Sequence, residues 1–79
     1  MYEHISELSN VLDTRGLNST ATIEKFIEKE ENLLYKYPFW TIHHTEPLRL
    51  YDYLTNNDYF FETFIISYNE YRIYIGGKY

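Results

Sequence analysis

Two adjacent histidines, His43 and His44, with Glu46 close behind, are the densest set of groups in the chain able to hold a metal. Neighbouring residues on a strand point to opposite faces, so one ion would not easily take both imidazoles. His4 is distant in sequence, and the chain has no cysteine to complete a structural zinc cluster. The pair reads as surface or packing histidines, with no metal assigned. Acid–base catalysis needs two groups in one pocket with separated pKa values, and no spacing of carboxylates and histidines singles out such a pair. Three glycines are too few for a phosphate-cradling loop, and neither a G-x-S-x-G nor a Walker-type run occurs. A chain this short also has little room to enclose a pocket of about 300–1,000 Å³. The expectation is no enzyme, no catalytic residue and no cofactor.

Binding without catalysis leaves two kinds of side chain to consider. Glu24, Glu28 and Glu31 line one edge of a helical segment, with Lys25, Lys29 and Lys36 along the adjacent one. Such rows are ordinarily a solvated face. The sharper reading is an acidic contact for a basic groove, because carboxylates one turn apart roughly match successive phosphates. Ten tyrosines are the second feature. Tyr serves small cores with its hydroxyl in water, and it is also enriched where proteins meet. Tyrosines on an open sheet can stack unpaired bases. However, the strand region has only Arg49, Arg72 and Lys78 against five carboxylates, the wrong balance for tracking phosphates.

These groups must be positioned by a small scaffold. Seventy-nine residues, a net charge of -5 and no cysteine describe one domain over 1–79, outside the disulfide-rich class. With 20% aromatic residues the composition is not that of a disordered chain. The first residues lack the basic start and apolar stretch of a secretory signal. The longest apolar run, Phe64-Ile65-Ile66, is far short of the roughly 20 residues that span a bilayer. A cytoplasmic address and no membrane partner are expected. Abundant Ile, Asn, Lys, Phe and Tyr, with a single Ala, have the A/T-rich codons of a low-G+C bacterium or its phage.

Ile5, Leu8, Val11 and Leu12 predict a first helix over 1–15, ended by Gly16. Ile23, Phe26, Ile27, Leu33, Leu34 and Tyr37 predict a second over 22–37, stopped by Pro38. Residues 39–43 read as a short strand. Residues 48–54 fit either a strand or a helix begun near Thr45 and Pro47; the turn signal of residues 55–58 tips the balance toward strand. Residues 59–68 and 71–75 form a hairpin about Asn69-Glu70, setting Tyr68 opposite Tyr71, Ile66 opposite Ile73 and Phe64 opposite Ile75 as the core face. A one-residue slip would exchange the two faces.

The fold expected is α+β: two N-terminal helices packed on a small antiparallel sheet ending in a C-terminal β-hairpin. Helices on one side leave the other side of the sheet uncovered, where Tyr59, Phe61, Ile65 and Tyr74 would form a contiguous apolar patch. Cover by residues 39–54 is the rival fate of these rings. The expected function is that of a small acidic protein-binding inhibitor or regulator. It would block a larger protein, such as a nuclease or another nucleic-acid-handling protein, with the character of a phage anti-CRISPR factor. Tyr59, Phe61, Ile65 and Tyr74 would anchor it and Glu24, Glu28 and Glu31 would steer it. A homodimeric or structural subunit using the aromatic face is the first alternative, and a single-stranded nucleic-acid binder the second.

Overall fold

The computed structural model describes residues 11–32 and 37–79. Their order is β1 (Val11–Asp13), α1 (Ser19–Asn32), β2 (Phe39–His43), α2 (Leu48–Asn56), β3 (Tyr59–Ser67) and β4 (Glu70–Lys78). The strands form one sheet in the order β1-β2-β4-β3. β1 runs parallel to β2, and the other two pairings are antiparallel. Among the described residues the class is α+β with two helices, while the sheet is mixed rather than wholly antiparallel.

The expected first helix lies largely on residues 1–10, outside the described residues. Its last part is a strand. Val11, Leu12 and Asp13 pair with Trp40, Thr41 and Ile42, Leu12 packs against the core, and the Thr14 amide donates to the Ile42 carbonyl at 2.8 Å. The free edge of β2 offers these residues a ladder that an isolated helix end would not have. Gly16, at φ +89°, then makes the left-handed turn into α1 that a side chain would strain.

α1 begins at Ser19, three residues earlier than expected, because the Asn18 side chain caps it by accepting the Ala21 amide at 2.8 Å. Thr22 and Phe26 are its buried residues. Leu33 and Leu34 of the predicted stripe lie outside the described residues, and Tyr37 stands beyond the helix, stacked 6.0 Å from Phe39. β2 covers the five residues expected.

Residues 48–56 are helical, against the strand reading. A strand would have carried Asp52 to the core beside Leu48, Leu50 and Leu54. The helix instead buries Leu50 and Leu54, one turn apart, and keeps Arg49 and Asp52 in water. Pro47 occupies the N-cap, where its missing N–H costs nothing.

The hairpin forms with a different register. Its turn residues are Tyr68 and Asn69, with Ser67 opposite Glu70. A bulge at Ile66 then sets Ile65 opposite Tyr71, Thr63 opposite Ile73 and Phe61 opposite Ile75. Moving the turn alone would have kept Phe64 and Ile66 inside. The single extra residue exchanges the faces of β3. The physical reason is Glu62: an unbulged ladder from this turn would bring its carboxylate opposite Ile75 on the core side, a costly desolvation.

Both helices cover the same face of the sheet. Phe26 from α1, Leu50 and Leu54 from α2, and Phe39, Tyr59, Ile73 and Ile75 from the sheet make the core. The polar residues Thr14, Thr22, Thr41 and His43 are buried as well.

Candidate functional site

On the covered face, Tyr59 is only 3% exposed. It meets the ring of Phe26 edge-on at 5.3 Å. Its hydroxyl and that of Tyr37 both donate to the same carboxylate oxygen of Glu30. Burial, followed by the hydrogen bond to Glu30, pushes the Tyr37 phenol up to about 12 and raises Tyr59 as well. Lys78 places its ammonium 5.0 Å from the centre of the Tyr59 ring. Phe61 stacks on Tyr51 of α2 at 5.4 Å, and the Tyr51 hydroxyl accepts a hydrogen bond from Thr63 at 2.7 Å.

The other face carries a different set of rings. Trp40 lies opposite Tyr74 in the ladder, with ring centres 5.2 Å apart. Phe64 meets Trp40 from β3 at 5.6 Å. Phe60 stands edge-on to Tyr74 at 6.4 Å and to Tyr79 at 6.3 Å. The Phe60 ring can lie there because residue 76 is glycine: a Cβ at Gly76 would sit 2.6 Å from Phe60 Cδ2. Trp40 and Tyr74 are half-buried against each other, whereas Phe64 remains 45% exposed. Beside the rings, Arg72 is held by Glu70 at 2.7 Å, which cancels the one cation projecting from this part of β4.

The predicted patch therefore divides. Tyr59 and Phe61 are drawn inside by the helices, with residues of the 39–54 segment covering Phe61. Ile65 faces the helix side near the hairpin end, still 68% exposed. Tyr74 alone stays on the open face. Trp40, Phe60 and Phe64 were missed as site residues, although a signal existed. Phe60, Glu62 and Phe64 share a face at strand spacing, and a mid-strand carboxylate marks the side that water reaches.

Glu24, Glu28 and Glu31 are exposed on α1, across the sheet from the open rings, so acids and rings do not form one contact surface. Glu28 pairs with Lys25 at 3.4 Å, an exposed contact of small worth. Lys36 lies outside the described residues.

The two histidines tie loops together. His43 Nδ1 lies 2.9 Å from Thr14 Oγ1 and 3.1 Å from the Thr14 carbonyl. Since a carbonyl can only accept, Nδ1 carries the proton. Burial, then the neighbouring His44, lowers the pKa of His43. His44 Nδ1 accepts the Gly16 amide at 3.1 Å. These bonds clamp the β1–α1 and β2–α2 loops at one end of the sheet. A 280 Å³ cavity opens beside them, lined by residues that include Ser19, Thr22, His43, Glu46 and Arg49. It is slightly below the usual size of a small-molecule site, about 300–1,000 Å³. Among the described residues, no cluster of three or more His, Cys, Asp or Glu is arranged to hold a metal, and no helix is long and apolar enough to cross a membrane.

No family model, curated protein or solved structure matches the chain.

Proposed function

We propose that this chain is a protein-binding regulator that acts by occupying a larger protein with the open face of its sheet, without chemistry of its own. The observation that carries the reading is the ring cluster of Trp40, Phe60, Phe64 and Tyr74, which neither helix covers. Rings on a rigid sheet provide contact area with little loss of side-chain freedom, and Trp and Tyr dominate the energetic centres of interfaces. Trp40 is the anchor, with Phe64 the exposed ring beside it. The acidic row on α1 acts at longer range: with a net charge of -5, it favours encounter with a basic target such as a nucleic-acid-handling protein. Inhibition of a host nuclease by a phage protein is the setting in which an acidic, tyrosine-rich binder of this size has a use. Stacking of single-stranded nucleic acid is less favoured, because Arg72 beside the rings is already neutralised by Glu70.

The test is a quantitative pull-down from a low-G+C bacterial lysate with wild type, Trp40→Ala, Phe64→Ala and Glu28→Gln. The expected result is one partner held by wild type, weakened about 30-fold or more by the Trp40 change, and little affected by the Glu28 change. Equal recovery of that partner by wild type and Trp40→Ala would remove the anchor.

A further inference from the structure

The rings of the open face are one exposed apolar feature, and the outer edge of β3 is a second. β3 is the last strand of the sheet, and among the described residues nothing pairs with its outer side. Nine residues long, it presents a row of backbone donors and acceptors that invites another strand. Proteins usually blunt such edges with Lys, Pro or inward-pointing charges. Residues 59–67 contain no Lys, Arg or Pro, and their one charge is Glu62. Five of the seven large apolar side chains exposed among the described residues are Phe60, Phe64, Ile65, Ile66 and Tyr68, and a sixth, Tyr79, packs on Phe60. Ile65 is 68% exposed on the helix side, while Phe64 is 45% exposed on the other. Both faces of the strand's second half are left dry-seeking, a pattern that a single covering layer would not relieve.

We infer that β3 pairs antiparallel with β3 of a second copy, making one eight-stranded sheet across a two-fold axis near Phe64. A second copy is the occupant that the charges fit. With the axis near Phe64, the two Glu62 carboxylates stand four strand positions apart, roughly 13 Å at about 3.3 Å per residue, beyond the ~8 Å screening length at physiological salt. Each Glu62 then lies among the partner's apolar residues near the rim, where water still reaches it. A specific contact needs roughly 800 Å² from each side, and the stretch from Phe60 to Tyr68 is the described surface where exposed apolar area is concentrated. Closed two-fold pairs are also the commonest homo-oligomers. The axis stands perpendicular to the sheet, so the helices of both copies share one side. The two ring faces merge on the other into a single band from Trp40 to its symmetry mate. The pairing rests on the strand edge, so it stands or falls separately from the docking of a larger protein.

Sedimentation equilibrium of the full chain from about 10 μM to about 1 mM tests it. Wild type is expected to reach a dimer and no further, with a Kd in the micromolar range. Ile65→Lys puts a cation on the edge and Ile66→Glu puts a carboxylate opposite the partner's Glu62, both at positions exposed in the monomer, and each is expected to weaken the dimer about tenfold or more while leaving the circular dichroism unchanged. Leu48→Lys, equally exposed but on α2, is expected to leave the association as it is. A wild-type monomer over the whole range, open-ended polymers, or folded edge variants that dimerise as wild type does would each overturn the inference.

Discussion

Ile73 and Tyr74 are neighbours on β4, and they live in different solvents. Ile73 is fully buried against the helices, whereas Tyr74 shares the open face with Trp40 and Phe60. The two faces of this sheet have similar aromatic content, so apolar character alone does not explain which is core. What separates them, among the described residues, is what the helices can reach: two short apolar stripes cover one side only. Among those residues, the rings left outside are held mainly by each other.

The sharpest way to break this contrast is to remove one ring from each side. Phe26→Ala, in the centre of the core, is expected to cost about 3–5 kcal/mol in urea unfolding, a large share of the stability of a domain this small. Trp40→Ala, although the larger deletion, is expected to cost only about 1–2 kcal/mol, because much of that ring is not enclosed. Equal losses would mean that the open face is a second core.

The next effect concerns the hydrogen bonds to Glu30. Tyr59→Phe removes a phenol donating to a carboxylate, and about 1.5–3 kcal/mol should go with it. The same cluster sets an alkaline limit. The folded phenols hold their protons more tightly than unfolded ones, whose pKa is near 10. Their contribution is therefore complete below about pH 10 and is lost as pH rises through the folded value of Tyr37, about 12. Stability measured from pH 8 to 12 should fall steeply at the top of the range in wild type and less steeply in the Tyr37→Phe, Tyr59→Phe double variant. Identical slopes would remove the cluster from the account.

Much of this arrangement is legible in the amino-acid sequence. The α+β class, the helix carrying Phe26, strand 39–43 and the existence of the hairpin all follow from spacing and turn residues. The helix at 48–56 was missed because Leu48, Leu50 and Leu54 satisfy a strand pattern as well as a helical one. The choice depends on where Asp52 ends up, which is a tertiary matter. The ring face was missed through one residue. Alternation along β3 was counted from a turn at Asn69-Glu70, and a bulge has no composition of its own to announce it. Tyr59 and Phe61 were thus placed outside, and Phe64 inside. Glu62 was the available correction, since extending the supposed core face by two residues would have buried its carboxylate.

Two smaller effects refine the contrast. Gly76→Ala puts a methyl into the Phe60 ring and should cost about 1 kcal/mol, the ring being free to move outward at the expense of its contact with Tyr74. Deleting Ile66 should change stability by less than about 0.5 kcal/mol. The ladder then runs directly from Ser67–Glu70 to Ile65–Tyr71, and the faces of β3 stay as they are. Loss of the Tyr51–Phe61 stacking in that deletion variant, read from ring chemical shifts, would show that the register depends on something other than this pairing.

The face assignment of β3 underlies the docking surface, and proton–proton NOEs between aromatic rings measure it directly. The account predicts contacts from Trp40 to Phe64 and Tyr74, and from Phe61 to Tyr51. NOEs joining Trp40 or Tyr74 to Phe61, with Phe64 in contact with Phe26 or Leu54, would place the opposite rings outside and contradict it.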